Sequence, residues 1–111
     1  MEVAHYILDV LEEKKAEDIL LLDIREISDF TDYFIITTGT SDRMLNALAD
    51  AVRESVKERY QLLGNKEGEA REGWILLDFG DIVIHFFSPD RRDYYRLEDL
   101  WNKGRVLVRL Q

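Results

Sequence analysis

The spacing of apolar residues in the first third of the chain predicts one helix and two strands. Near the N-terminus, apolar positions recur at helical intervals with charged residues between them, which indicates an amphipathic helix of about three to four turns. Residues 18–24 are apolar almost throughout, as in a strand that is covered on both faces. Residues 33–38 are rich in aromatic and β-branched side chains and predict a second strand.

A second helix is predicted directly after these strands. Gly39 ends the second strand, and the hydroxyl of Thr40 or Ser41 can cap the first turn of the helix. Apolar residues then follow one face to about Tyr60, with charged residues opposite. Residues 64–69 combine two glycines with four polar residues, a composition that predicts a loop.

The stretch 74–87 predicts a β-hairpin. Two aliphatic runs of strand length, 75–77 and 82–84, enclose a turn at 78–81. Gly80 lies where such a turn needs a positive φ. The hairpin therefore adds two strands to the sheet.

The C-terminal part predicts a third helix and leaves the last residues open. Pro89 ends the hairpin, and Asp90 can cap a short helix that runs to Trp101. Residues 105–111 fit either an edge strand or a loose tail. The whole order of elements predicts a single α/β (α+β) domain over residues 1–111, with a mixed β-sheet flanked by helices.

Composition narrows the class of partner. The chain has 111 residues, enough for one domain, and a net charge of −8. Broad contact with nucleic-acid phosphates needs a basic surface, so this charge argues against direct, sequence-specific nucleic-acid binding. A basic partner, such as a ribosomal protein, fits the charge better.

Three absences in the sequence predict a cytoplasmic protein. There is no cysteine, hence no disulfide and no thiolate metal site. No apolar run approaches the roughly 18 residues of a membrane span. The first residues lack the basic region of a signal peptide.

Large aromatic side chains and carboxylates gather in the hairpin. Trp74 opens it, and Phe79 occupies the tip of the turn between Asp78 and Asp81. An aromatic residue at a tight turn rimmed by charge can be a protein-binding hot spot. In the alternative interpretation Phe79 folds back over the core, and the sequence leaves both open.

Basic and aromatic residues follow the hairpin. Arg91 and Arg92 precede Tyr94 and Tyr95, a combination that could stack on nucleic acid. The same segment carries acidic residues, namely Asp90, Asp93, Glu98 and Asp99. This mixed surface fits the rim of a protein–protein interface better.

The sequence shows no convincing active site. The turn 39–41 could hold an anion on free backbone N–H groups, but it lacks the phosphate-loop and dinucleotide fingerprints. Asp78 and Asp81 could pair around a divalent metal. Nucleotidyltransferases, however, place two acidic residues at i and i+2 on one strand. Asp78 and Asp81 are instead three positions apart, with a turn between them. His85 has no nucleophile in evident relation to it and is expected to be a satisfied, partly buried residue. No metal and no cofactor is predicted.

Three groups of residues nevertheless occur together in a recognisable order. The first is 29–36 with 38–41, Arg43, Ala47, Ala49 and Asp50; the second is Trp74, Asp78, Gly80, Asp81, Val83 and His85; the third is Tyr95, Leu97, Glu98, Leu100 and Trp101. Together they resemble the signatures of the ribosomal silencing factor S (Iojap-related) family. The resemblance covers residues from about 4 to 101, and the tail 102–111 receives no role.

The resemblance implies a translation repressor and not an enzyme. Members of that family resemble the nucleotidyltransferase fold without its catalytic acids and use no cofactor. They bind the large ribosomal subunit through the subunit-interface protein L-fourteen. Bound there, they block an intersubunit bridge and stop the small subunit from joining.

The resemblance also implies a partner-binding surface. Its main contacts would be Trp74, Phe79 and Tyr95, with the further candidates Asp78, Gly80, Asp81, Arg91, Arg92 and Glu98. Because this surface coincides with the hairpin patch, an exposed Phe79 is expected. The chain departs from the family at Met44, where His is common, and at Phe79, where a smaller aliphatic residue is common.

Two other classes of function compete with this interpretation. A nucleotidyltransferase-like enzyme would bind nucleotide and metal through Gly39, Ser41, Asp78 and Asp81. A homo-oligomeric interaction module would use the aromatic patch for self-association, for example in a homodimer of the free protein.

Overall fold

A six-stranded sheet organises the molecule. The computed structural model describes residues 2–96 and 104–110. The elements are α1 (Glu2–Glu13), β1 (Glu17–Asp23), β2 (Tyr33–Thr38), α2 (Asp42–Tyr60), β3 (Asn65–Glu69), a single 3₁₀ turn (Ala70–Glu72), β4 (Trp74–Asp78), β5 (Ile82–Phe87), α3 (Pro89–Tyr95) and β6 (Arg105–Leu110).

The sheet is mixed, as the sequence predicted. Its strand order is β3-β4-β5-β2-β1-β6. The central strands β2 and β5 run parallel, from Tyr33 beside Ile82 to Thr38 beside Phe87. Every other neighbouring pair is antiparallel. The predicted fold class, an α+β domain with a mixed sheet flanked by helices, is confirmed.

Helices α1 and α2 cover one face of this sheet, which we call the helix-covered face. Helix α1 buries its apolar stripe there, including Ile7 and Leu11, as its periodicity predicted. Helix α2 begins at the cap residue Ser41, whose Oγ accepts a hydrogen bond from the backbone N–H of Met44 at 3.1 Å. None of the described helices is long and apolar enough to cross a bilayer.

The opposite face, which we call the second face, also carries buried apolar residues. They are Leu20, Leu22, Ile24, Ile36 and Phe87, with Phe34 and Trp74 packed against them. Strand β1 sends alternate side chains to both faces, so the prediction of a strand covered on both sides is confirmed.

The hairpin prediction is confirmed and the loop prediction is wrong. Strands β4 and β5 pair around a turn in which Gly80 has a φ of +91°. Residues 65–69 form strand β3 and not a loop, because their backbone pairs with β4 at the sheet edge. Their side chains are mostly exposed, so no apolar alternation marked them as a strand.

The C-terminal elements differ in part from expectation. Ser88, and not Asp90, caps α3, since its Oγ accepts from the backbone N–H of Arg91 at 3.3 Å. The helix ends at Tyr95, where a helix to Trp101 was predicted, and residues 97–103 lie outside the described part of the chain. Of the two possibilities for the tail, the structure has the edge strand, β6 paired with β1.

Removing bulk from the second face will test whether it is a core. Leu22 is fully buried, so Leu22→Ala should lower the free energy of unfolding by about 2–5 kcal/mol, through lost burial and a residual cavity. Urea denaturation measures the change. The control Leu63→Ala removes a side chain that is 67% exposed and should change stability by less than about 0.5 kcal/mol. Equal effects of the two changes would contradict a packed second face.

Candidate functional site

The predicted site residues lie at two opposite ends of the sheet. Because β2 and β5 are parallel, both finish where α2 and α3 begin, and we call this the helix end. The other end, formed by residues 24–32 and 78–81, we call the loop end. Trp74 opens β4 at the helix end, whereas Asp78 closes it at the loop end. The four residue-to-residue steps of β4 from Trp74 to Asp78 span about 13 Å.

Trp74 borders an open cavity at the helix end. This Trp74 cavity has a volume of about 450 Å³ and is lined by Glu67, Gly68, Glu72, Trp74, Leu76 and Arg91. The Trp74 side chain is half-buried, with one part packed on the second face. The cavity thus combines an accessible indole with two carboxylates and one guanidinium.

Backbone contacts hold Arg91 beside this cavity. The carbonyl of Gly73 accepts from the Ser88 N–H at 2.9 Å, which ties the start of α3 to the start of β4. The Arg91 Nε donates to the Glu72 carbonyl at 3.0 Å. Its guanidinium lies 5.9 Å from the centre of the exposed Tyr94 ring. Arg91 therefore lines the cavity, with Tyr94 packed beside its guanidinium.

An aromatic stack fixes the indole of Trp74. Its ring stacks on Phe87 with centres 5.3 Å apart, and its Nε1–H donates to Nδ1 of His85 at 3.2 Å. His85 is 5% exposed, and this burial lowers its pKa from 6.5 to about 4. A neutral imidazole that accepts at Nδ1 carries its proton at Nε2, which has no hydrogen-bond partner among the described residues. His85 is thus buried, as expected, and satisfied at one nitrogen.

The Arg92 side chain contacts β1 and β2 and not the Trp74 cavity. One of its terminal nitrogens donates to the carbonyl of Asp18 at 2.5 Å and to the hydroxyl of Thr38 at 2.9 Å. It lines a separate cavity of about 310 Å³. These bonds tie α3 to β1 and β2, so the observed contacts of Arg92 are structural.

The expectation of an exposed Phe79 is wrong. Its side chain is half-buried and packs against the helix-covered core, close to Gly64. The reason is the turn geometry: the Phe79 N–H donates to the Ile82 carbonyl at 2.9 Å, and Asp78 accepts from the Gly80 N–H at 2.7 Å. Phe79 and Trp74 consequently pack on opposite faces and do not form one aromatic patch.

The aromatic residue that is exposed at the loop end is Phe30. Its side chain is 93% exposed. The backbone N–H groups of Asp32 and Tyr33 both donate to the Asp81 carbonyl at 3.0 Å, so the Phe30 loop lies against the hairpin turn. Sequence reasoning used Phe30 only as part of a family signature. The available signal was an aromatic residue between acidic residues in an otherwise polar connection.

The remaining candidates separate in the same way. Gly39 and Ser41 lie at the helix end, whereas Asp78 and Asp81 lie at the loop end, so the four residues of the enzyme alternative do not form one site. Glu98 falls outside the described residues, as does the side chain of Tyr95. Within the described ranges, no three His, Cys, Asp or Glu residues are grouped to hold a metal ion.

Comparison with known proteins identifies the family. A family model described as "Ribosomal silencing factor during starvation" matches residues 1–110. The chain belongs to this family. Ribosomal silencing factor RsfS of Bacillus subtilis is 42% identical over 90 residues, which cover 81% of this chain and 76% of that protein. The Haemophilus influenzae protein of the same name is 36% identical over 91% of this chain and 99% of its own. Membership supports a role in translation regulation.

Solved structures agree with this assignment. A crystal structure of a Chromobacterium violaceum protein matches with a TM-score of 0.85 at 35% identity, covering 91% of this chain and 84% of that one. A further relative found by sequence is the mouse protein named "Mitochondrial assembly of ribosomal large subunit protein 1". It is 34% identical over 86% of this chain and 43% of its own length.

The buried His85 makes stability depend on pH in a defined window. The unfolded imidazole takes up a proton near pH 6.5, but the buried one only near pH 4. Between these values the unfolded state binds more protons, so stability falls as the pH falls from about 6.5 to 4. The loss should reach up to about 3 kcal/mol relative to the variant His85→Phe.

Urea denaturation between pH 4 and pH 8 measures this difference. Carboxylates titrate equally in both proteins and cancel in the comparison. His5 is exposed, and His5→Phe makes the same substitution there as a matched control. Parallel pH profiles for wild type and His85→Phe would contradict a buried neutral imidazole.

Proposed function

We propose that this protein binds the large ribosomal subunit through ribosomal protein L-fourteen and thereby prevents the small subunit from joining. The supporting observation is the Trp74 cavity, where a half-buried indole stands beside Glu67, Glu72 and Arg91. Trp and Arg are enriched at interface hot spots. Membership of the family supports the ribosome as the partner. The name of the mouse relative supports the large subunit as the part of the ribosome that is bound.

The charge of the chain supports a basic partner. Its net charge is −8, and such a surface is repelled by ribosomal RNA phosphates. A protein of opposite charge on the subunit face offers electrostatic complementarity, which speeds association and sets orientation. The protein would act in the cytoplasm.

The mechanism we propose is steric. A repressor that blocks a bridge between subunits needs a rigid body at the joining face and no chemistry. Six paired strands with cores on both faces provide such a body. The proposed contacts are those implied by resemblance: Trp74, Asp78, Phe79, Gly80, Asp81, Arg91, Arg92, Tyr95 and Glu98.

These proposed contacts differ in how accessible they are. Gly80, Asp81 and Arg91 are exposed, and Trp74 is half-buried with its indole on the cavity. Phe79 and Arg92 are engaged within the fold, so changing them would also affect packing. Trp74 and Arg91 are for this reason the better sites for mutation.

Co-sedimentation with separated ribosomal subunits, followed by a subunit-joining assay, tests the proposal. The wild type should sediment with large subunits, not with small ones, and should block joining. Absence from the large subunit would overturn the proposal. A dimer that buries Trp74, detected by sedimentation of the free protein, would favour self-association instead.

Truncating the indole should weaken this binding. Trp74→Ala removes an interface aromatic, and we expect a loss of about 1–3 kcal/mol in binding free energy, or roughly 5- to 150-fold in affinity. Trp74→Phe keeps a ring for the Phe87 stack and should lose less. Leu63→Ala, outside the predicted site, is the control. Wild-type affinity in a folded Trp74→Ala protein would show that Trp74 is not part of the interface.

A further inference from the structure

The loop between β1 and β2 holds an aromatic side chain out in water. Phe30 is 93% exposed, and Ile27 in the same loop is 40% exposed. Single exposed apolar residues are common on protein surfaces, so exposure alone would carry little. What distinguishes Phe30 is that its backbone is fixed and that most charged residues of its loop and of the adjoining turn are acidic.

Hydrogen bonds fix the loop on both sides of Phe30. The Ser28 hydroxyl accepts from the N–H groups of Phe30 and Thr31 at 3.2 and 3.3 Å. The Ile24 carbonyl accepts from Ser28 N–H at 2.9 Å. Beyond Phe30, the Asp32 N–H is bound to the Asp81 carbonyl. A backbone organised before binding loses little conformational entropy when the side chain is captured.

The charges near Phe30 are mostly negative. Glu26, Asp29 and Asp32 in its own loop are exposed, and so is Asp81 on the adjoining turn. Two basic residues, Arg25 and Arg105, lie at the same end of the sheet; Arg25 pairs with Asp23 at 2.7 Å, and Arg105 is the β6 neighbour of Asp23. The acidic side chains nearest Phe30 outnumber them. This surface repels phosphate and attracts lysine- and arginine-rich surfaces.

We propose that Phe30 is an anchor that inserts into an apolar pocket bordered by basic residues on a protein partner. The proposal rests on the proposed function for its target, a basic protein of the large ribosomal subunit. It adds a contact that the family resemblance did not carry over. The loop end is about 13 Å from Trp74 along β4. A standard interface of roughly 800 Å² on each partner is wide enough to reach both.

Binding of Phe30 variants to purified large subunits tests the anchor. Phe30→Ser should lower the affinity for large subunits, measured by co-sedimentation, at least tenfold, because a buried aromatic anchor is lost. Phe30→Leu keeps an apolar group and should lose less. Leu63→Ser makes the matched change at another exposed apolar residue and should bind as the wild type does. Circular dichroism and thermal unfolding verify that each variant is folded.

Crosslinking identifies what Phe30 touches. Phe30→p-benzoylphenylalanine, irradiated with purified large subunits, should crosslink to a ribosomal protein. Crosslinks to RNA alone, to a second copy of the chain, or to nothing would overturn the proposal.

The two proposals fail in different ways. If wild type does not bind large subunits, the proposed function fails and the anchor fails with it. If wild type binds and Phe30→Ser binds equally well, the anchor alone is overturned.

Discussion

The parallel pairing of β2 with β5 is the constraint from which the rest of the structure follows. Parallel neighbours cannot be joined by a tight turn, so the chain must cross over between them. Here the crossover comprises α2, β3 and β4, and it lays α2 on the helix-covered face. The same pairing sends both strands to the helix end and brings both of their starts to the loop end. Strand β4 connects the two ends, so Trp74 lies at the helix end and Asp81 at the loop end.

Burial of both faces places a further demand on polar groups in the central strands. His85 is directed to the second face by the alternation of β5, where a charged imidazole would be costly. It remains neutral and accepts the Trp74 N–H, which orients the indole at the margin of the Trp74 cavity. The accessible aromatic is therefore positioned by the core and not by a surface loop.

The sequence predicted the elements whose side chains are buried in a regular pattern, namely α1, β1, β2, α2 and the hairpin. Strand β3 was missed because it forms an edge with exposed polar side chains, so only backbone pairing defines it. The direction of Phe79 depended on turn hydrogen bonds that composition does not reveal. Phe30 was overlooked for the same reason, since its exposure follows from how Ser28 and Asp81 hold its loop. Family signatures identified the family but not which residues share a surface.

The proposed steric mechanism requires that the bound protein be held in a defined orientation as well as at a defined position. One anchor fixes position but leaves the body free to rotate about the contact, and a rotated domain need not cover the bridge. Two contacts at opposite ends of one rigid sheet, at Trp74 and at Phe30, would fix orientation as well as position. The hydrogen bonds that fix each contact both end on the hairpin: Trp74 donates to His85 on β5, and Asp32 donates to Asp81 in the turn. The hairpin would then hold the two proposed contacts in a fixed relation, and its packing on both faces of the sheet supplies the rigidity that this requires.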